Sequence, residues 1–152
     1  MPAPATLTGQ DLGEARRRLT ALLNQVLSGS NVSITRTEYI TLRVLALRGP
    51  VPSPAEIHDY LASQPQLGLD RSQIAGLLLG LEAQGLVAGS AADGPGPTQL
   101  TAEGTALHAR LAEAVGAVTR RVYTGLDPDD LAITHRVLVE VTERARRLRD
   151  QP

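Results

Sequence analysis

The stretch Asp70-Arg71-Ser72-Gln73-Ile74-Ala75-Gly76-Leu77-Leu78-Leu79-Gly80-Leu81-Glu82-Ala83-Gln84-Gly85-Leu86-Val87-Ala88 decides the fold. Asp70 with Gln73 three residues later has the form of a capped helix start, since the first turn leaves backbone N–H groups for side-chain oxygens to accept. Ile74, Leu77, Leu78 and Leu81 then recur at the three-and-four spacing of one helical face, and Leu79 falls off it. Gly85 is a natural C-terminal glycine, after which Leu86-Val87-Ala88 reads as a short strand.

Immediately upstream, Ser53-Pro54-Ala55-Glu56 repeats the start logic, with a capping hydroxyl, proline at the first helical position and a glutamate able to reach back. Ile57, Tyr60 and Leu61 give that helix its buried side, and a loop through Pro65 and Gly68 separates it from the next. Downstream, Asp93-Gly94-Pro95-Gly96-Pro97 can continue neither helix nor sheet, and Thr98-Gln99-Leu100 returns as a second strand. Helix, turn, helix and a two-stranded wing over residues 53–100 make a winged helix-turn-helix, whose second helix can enter a DNA major groove.

The flanks are helical. Leu12, Ala15, Leu19, Leu22, Leu23, Val26 and Leu27 mark a first amphipathic helix, ending before Ser28-Gly29-Ser30. Thr35 with Glu38 opens a second, carrying Leu42, Leu45 and Ala46 to the stop at Gly49-Pro50. Residues 101–124 read as one helix with Leu107, Leu111, Ala114, Val115, Val118 and Val122 on a face. At 1.5 Å per residue it is about 36 Å long, more than the preceding lobe can cover, so part of that face needs a partner. Asp127-Pro128-Asp129-Asp130 starts a sixth helix with Leu131, Val137, Leu138, Val141, Ala145 and Leu148, ending among Arg144, Arg146, Arg147 and Arg149. The expected fold is mainly α with a small β-wing: a winged helix-turn-helix lobe plus long N- and C-terminal dimerisation helices. The chain is one domain, 1–152, with dimerisation helices at 10–28 and 101–149, the lobe at 35–100 and the wing at about 86–100.

Composition narrows the function classes. With 152 residues and 42% hydrophobic side chains the chain can bury its own core, and it has no cysteine, which excludes disulfides, cysteine-ligated zinc and thiol chemistry. No apolar run approaches the ~18 residues of a membrane span, and Met1-Pro2-Ala3-Pro4-Ala5-Thr6 lacks the regions of a signal peptide, so a cytoplasmic protein without membrane contact is expected. Phe and Trp are missing and tyrosine occurs only at 39, 60 and 123, which argues against single-strand binding by base stacking. His58, His108 and His135 have no metal-ligand spacing, and no nucleophile lies beside a base, so neither metal, cofactor nor catalytic site is expected.

In order along the chain, Thr35-Arg36-Thr37-Glu38-Tyr39-Ile40-Thr41-Leu42-Arg43-Val44-Leu45, Asp70-Arg71-Ser72-Gln73-Ile74, Leu81-Glu82-Ala83-Gln84-Gly85-Leu86-Val87 and Leu100-Thr101-Ala102-Glu103-Gly104 resemble the MarR family of bacterial transcriptional regulators. The resemblance implies a homodimer built on the first, fifth and sixth helices, two lobes reading a palindromic operator in double-stranded DNA, and a small-molecule pocket between dimerisation helices and lobe. It implies a repressor relieved by its ligand. The helix before the lobe and the two after it fit this family better than the PadR-type winged helices, which the longer 63–69 loop also suggests.

The departures are equally specific. Where the family commonly has a small hydroxyl residue and an arginine in its recognition helix, this chain has Ala75-Gly76, with Gly80 at another frequently basic position; the wing's usual Asp-x-Arg is reduced to Asp93 before Gly94-Pro95. Residues 49–109 hold one arginine, Arg71, against six carboxylates, a net charge of −5. Since duplex affinity is dominated by phosphate contacts, such a lobe binds weakly by charge alone. The DNA contacts expected are Arg71, Ser72, Gln73 and Thr98 to phosphates, and Ala75, beside Gly76 and Leu79, to thymine methyl groups. Arg36, Tyr39 and Arg43, at i, i+3 and i+7 on the second helix, are the candidate ligand contacts, two guanidinium groups beside a phenol suiting a small aromatic or anionic effector. Arg16-Arg17-Arg18 could contact phosphates at a dimer edge, but they spread over a wide helical arc and read rather as a solvated face or as dimer salt bridges. The acidic lobe and missing wing arginine also fit a MarR-like fold that has lost DNA binding and serves as a small-molecule or protein-binding module.

Overall fold

In the computed structural model, which describes residues 5–91 and 93–151, the elements follow in the order α1 (Gly9–Ser28), α2 (Arg36–Arg48), α3 (Pro54–Ala62), α4 (Arg71–Ala83), β1 (Val87–Ala88), β2 (Gln99–Leu100), α5 (Ala102–Tyr123) and α6 (Pro128–Arg149). Most of the proline- and alanine-rich start, read above for a leader, lies outside the described residues. The contacts divide into two units, Met1–Val115 and Gly116–Pro152.

In the first unit the decisive stretch folds as its chemistry dictates. Asp70 Oδ1 accepts from the Gln73 N–H at 2.8 Å and Gln73 Oε1 accepts from the Asp70 N–H at 3.0 Å, closing a capping box on α4. At the other end Gly85 takes φ +74°, its N–H bonds to Glu82 O at 2.9 Å, and the Leu86 N–H reaches Leu81 O at 3.0 Å. That pair of bonds is a Schellman motif, which turns the chain directly into β1. Leu86 is therefore consumed by the cap, and the strand begins one residue later than expected.

The start of α3 differs from expectation. Ser53 makes no side-chain cap; its carbonyl accepts from the Glu56 N–H at 3.1 Å, and Pro54 at the first helical position removes one donor that would need capping. On α2, Thr35 Oγ1 does accept from the Glu38 N–H, at 3.2 Å. α1 has a full capping box between Thr8 and Asp11.

β1 and β2 are antiparallel, with Val87 opposite Leu100 and Ala88 opposite Gln99. Thr98 does not belong to β2 but bridges Val51, through two backbone bonds of 2.9 Å. The segment between α2 and α3 thus forms a third rung at the wing root, which the Gly49-Pro50 stop signal concealed.

Leu42, Leu45, Ile57, Leu61, Ile74, Leu78, Leu81 and Val87 are buried together, joined by Leu27 of α1 and by Leu107 and Leu111 of α5. Each such side chain contributes roughly 1.5–3 kcal/mol by leaving water. On α2 the inward face includes Tyr39 and Thr41, whereas Ala46, expected inside, is exposed.

In the second unit, Asp127 caps α6, accepting from the N–H groups of Asp129 at 2.7 Å and Asp130 at 3.3 Å. No α6 residue is buried within the chain; Ile133, Val137, Val139, Val141 and Leu148 all lie exposed. Among the described residues, no helix is long and apolar enough to cross a membrane.

Candidate nucleic-acid interface and ligand face

Two places in the first unit carry the sequence-predicted site residues. The first is the N-terminal half of α4 with the wing beside it. Arg71, Ser72 and Gln73 are exposed on the first turn of α4, and Ala75 is half-buried one turn on. Gly76, Leu79 and Gly80 continue that surface, with Leu79 about half exposed, as its place off the buried face predicts. Gln73 spends its Oε1 on the cap, which leaves its amide donors for a phosphate or base. Arg71 is ion-paired with Asp59 on α3, so the one arginine of residues 49–109 meets its neutralising partner within the helix-turn-helix itself.

Thr98 is corrected. Its side chain is wholly buried, and its hydroxyl donates to Gly89 O at 2.5 Å while its backbone bridges Val51. A threonine so placed holds the wing root and has no surface to offer DNA.

Sequence reasoning also missed what fixes the wing. The Glu82 carboxylate accepts from the Gly89 N–H at 3.1 Å and from Ser90 Oγ at 2.5 Å, and buried His58 Nε2 lies 3.2 Å from Ser90 O. Side chains from α3 and α4 therefore grip the strand end from two directions. His58 drew attention only as a possible metal ligand, and Glu82 only as part of a motif; a long-range bond across 32 residues leaves no local spacing signal.

The second place is the α2 face bearing Arg36, Tyr39 and Arg43. Tyr39 is buried and Arg43 exposed, with Arg36 half-buried one turn before Tyr39. The structure adds a residue the sequence did not single out for this role: His108 of α5 stacks on Tyr39, ring centroids 6.2 Å apart. Burial pushes the His108 imidazole below the ordinary histidine range, and the positive charge of Arg43 pushes it the same way. Burial raises the Tyr39 phenol, with Arg43 partly opposing. At neutral pH the face therefore presents a neutral phenol, a neutral imidazole and two guanidinium groups, half-buried Arg36 and exposed Arg43. His108 Nε2 and Glu38 Oε2 are buried without a hydrogen-bond partner among the described residues. Tyr60, by contrast, packs on the core under the Arg48 guanidinium, 4.1 Å from its ring centroid, the packing role expected of it.

Arg17 and Arg18 both pair with Glu14 on the same helix while their side chains stay largely exposed. Among the described residues no group of three or more His, Asp or Glu side chains could hold a metal.

No protein-family model matches the chain, and no curated protein does. Solved structures do. The transcriptional regulator PA3341 superposes with a TM-score of 0.69 at 26% identity, covering 91% of this chain and 98% of that one. NadR in complex with 4-hydroxyphenylacetate gives 0.67 at 25% identity, over 91% of this chain and 97% of that one. The Mycobacterium tuberculosis MarR family protein Rv2887, in complex with salicylic acid, gives 0.61 at 26% identity, over 92% and 99%. The fold is the MarR-type winged helix. PA3341 is named as a transcriptional regulator and Rv2887 as a MarR family protein, and the present chain resembles both over nearly its whole length.

Proposed function

We propose that the chain is a homodimeric, cytoplasmic transcriptional regulator that represses by binding a palindromic operator through α4 and is released by a small aromatic carboxylate. The observation that carries this reading is the likeness, at 25–26% identity over more than nine-tenths of the chain, to regulators two of which hold hydroxylated aromatic acids. The lobe supports it: α3, the turn, α4 and the wing are all kept, and Arg71, Ser72, Gln73 and Ala75 lie toward the N-terminal end of the second helix, the end that reads DNA in such motifs. The α2 face supports the ligand class, since Arg43 can pair with a carboxylate while Tyr39 and His108 offer ring surfaces. Exposed Ile133, Val137, Val141 and Leu148, on one side of α6, support the dimer, because an isolated helix does not leave such a face in water without cost. Repression is relieved by population shift: the ligand binds better to a lobe spacing that misfits two successive major grooves, and lowers operator affinity by that difference.

A second reading is favoured by one observation, the acidic segment 49–109 whose single arginine is already paired. In it the protein has given up DNA and binds small molecules or proteins. Fluorescence anisotropy against the chain's own upstream duplex and a scrambled duplex, at low and physiological salt and with or without salicylate, decides between them. Specific binding weakened by salicylate supports the regulator, and absence of binding at both salts supports the module.

A further inference from the structure

Of the lobe's charged groups, one pair lies where DNA would compete for it. Arg71 is the only cation in residues 49–109 and stands at the first position of α4; its guanidinium is held by the Asp59 carboxylate, twelve residues earlier on α3. Both side chains remain largely exposed, 72% for Arg71 and 56% for Asp59, so neither is committed to the core. A carboxylate and a phosphate present equivalent oxygen acceptors to a guanidinium.

We propose that Asp59 is a built-in competitor for the duplex: its carboxylate occupies the one arginine of residues 49–109, and DNA gains the Arg71 contact only by displacing it. The proposal rests on the DNA-binding reading above and adds to it a residue that sets the affinity from off the DNA-contacting helix. The exchange is a swap of acceptors. One charged hydrogen-bonded pair breaks and one forms, so the net gain from Arg71 is smaller than a free arginine would supply. An exposed pair of this kind is weak enough to be displaced, and its removal is worth about two- to fivefold in an equilibrium constant. No other arginine or lysine lies between residues 49 and 109, so Arg71 is the one charged contact this segment can offer a phosphate.

The alternative role of the pair is a staple between α3 and α4. The two roles predict opposite signs. A staple makes Asp59→Asn bind DNA no better, with reduced stability, whereas a competitor makes it bind more tightly. Loss of one negative charge must also be separated from release of Arg71. Glu56 lies on the same helix, is exposed and carries no ion pair among the described residues, so Glu56→Gln supplies the charge control.

The test uses the full chain and a labelled random-sequence duplex in about 50 mM salt, where non-specific binding is strongest. Wild type, Asp59→Asn, Glu56→Gln, Arg71→Ala and the Asp59→Asn/Arg71→Ala double variant are titrated by anisotropy, with thermal unfolding of each as a folding check. The expected result is a gain of about two- to fivefold for Asp59→Asn, a smaller gain for Glu56→Gln, and, in the Arg71→Ala background, no more gain from Asp59→Asn than Glu56→Gln gives. Asp59→Ser, which also removes the carboxylate, should behave as Asp59→Asn. Equal gains at 59 and 56, a gain that survives loss of Arg71, or no gain at all overturns the proposal while wild-type binding leaves the DNA reading standing. Binding by none of the six proteins overturns both.

Discussion

His108 of α5 lies against Tyr39 of α2 with its ring plane 22° from parallel, and its Nε2 is buried without a hydrogen-bond partner among the described residues. Protonation would place a second N–H donor in that environment and set a positive charge near Arg43, so folding disfavours the imidazolium for both reasons. Because the folded-state value is lowered from 6.5, the unfolded chain binds more protons in the window below it. Stability is complete above that pH and is lost as pH falls through the window toward the lowered value. Thermal midpoints measured between pH 5 and 8 should fall on the acid side for wild type. The decline should be less for His108→Phe, which keeps a ring there and cannot titrate; equal slopes for the two proteins would remove His108 as the cause.

Arg43 is the cation at the rim of this face. If it pairs with a ligand carboxylate, Arg43→Ala should weaken salicylate binding by about tenfold or more, the range expected for a charged hydrogen bond. The neutral amide of the same acid should be little affected by that change. Calorimetric titration of both compounds into both proteins checks the contrast. A similar loss for acid and amide would mean that Arg43 shapes the face without meeting the charge.

The salt dependence of duplex binding follows from the charge inventory. Each neutralised phosphate contributes about −0.9 to the slope of log affinity against log salt, and a dimer with one arginine in residues 49–109 of each subunit should give a shallow slope of about −2. A much steeper slope would bring arginines from outside residues 49–109 to the duplex, Arg16 to Arg18 foremost.

The elements legible in the sequence are those governed by local chemistry. The Asp70/Gln73 box and the Gly85 cap are each formed within a few residues, and their signals translate directly into observed bonds. Leu78 buried beside exposed Leu79 follows from helical periodicity alone. The failures share a cause in tertiary pairing. Thr98 reads as a polar strand residue, and only the approach of Val51 from another segment removes it from the surface. His108 reads as an isolated histidine until the fold lays it on Tyr39, 69 residues away in the chain. Arg71 is legible as the one arginine of residues 49–109, but its partner on α3 has no signature in spacing.

One substitution, made at three glycines, should change sign with position. A Cβ at Gly104 would stand 2.0 Å from Leu86 O, where the first turn of α5 crosses the end of the α4 cap. That carbonyl cannot retreat freely: it accepts from the Thr101 N–H at 3.1 Å, and the Leu86 N–H is bound to Leu81 O. Gly104→Ala should therefore destabilise by about 1–3 kcal/mol, as overpacking of a fixed backbone does. Gly76 and Gly80 lie within α4 with nothing inside 4 Å of the added atom, so the same change there relieves a helix-interior glycine and should stabilise by up to about 1 kcal/mol each. Denaturant unfolding of the three variants measures the difference. A Gly104→Ala protein as stable as wild type would mean that α5 does not approach Leu86 this closely, and a destabilised Gly76→Ala or Gly80→Ala would mean that the open face of α4 is covered in solution.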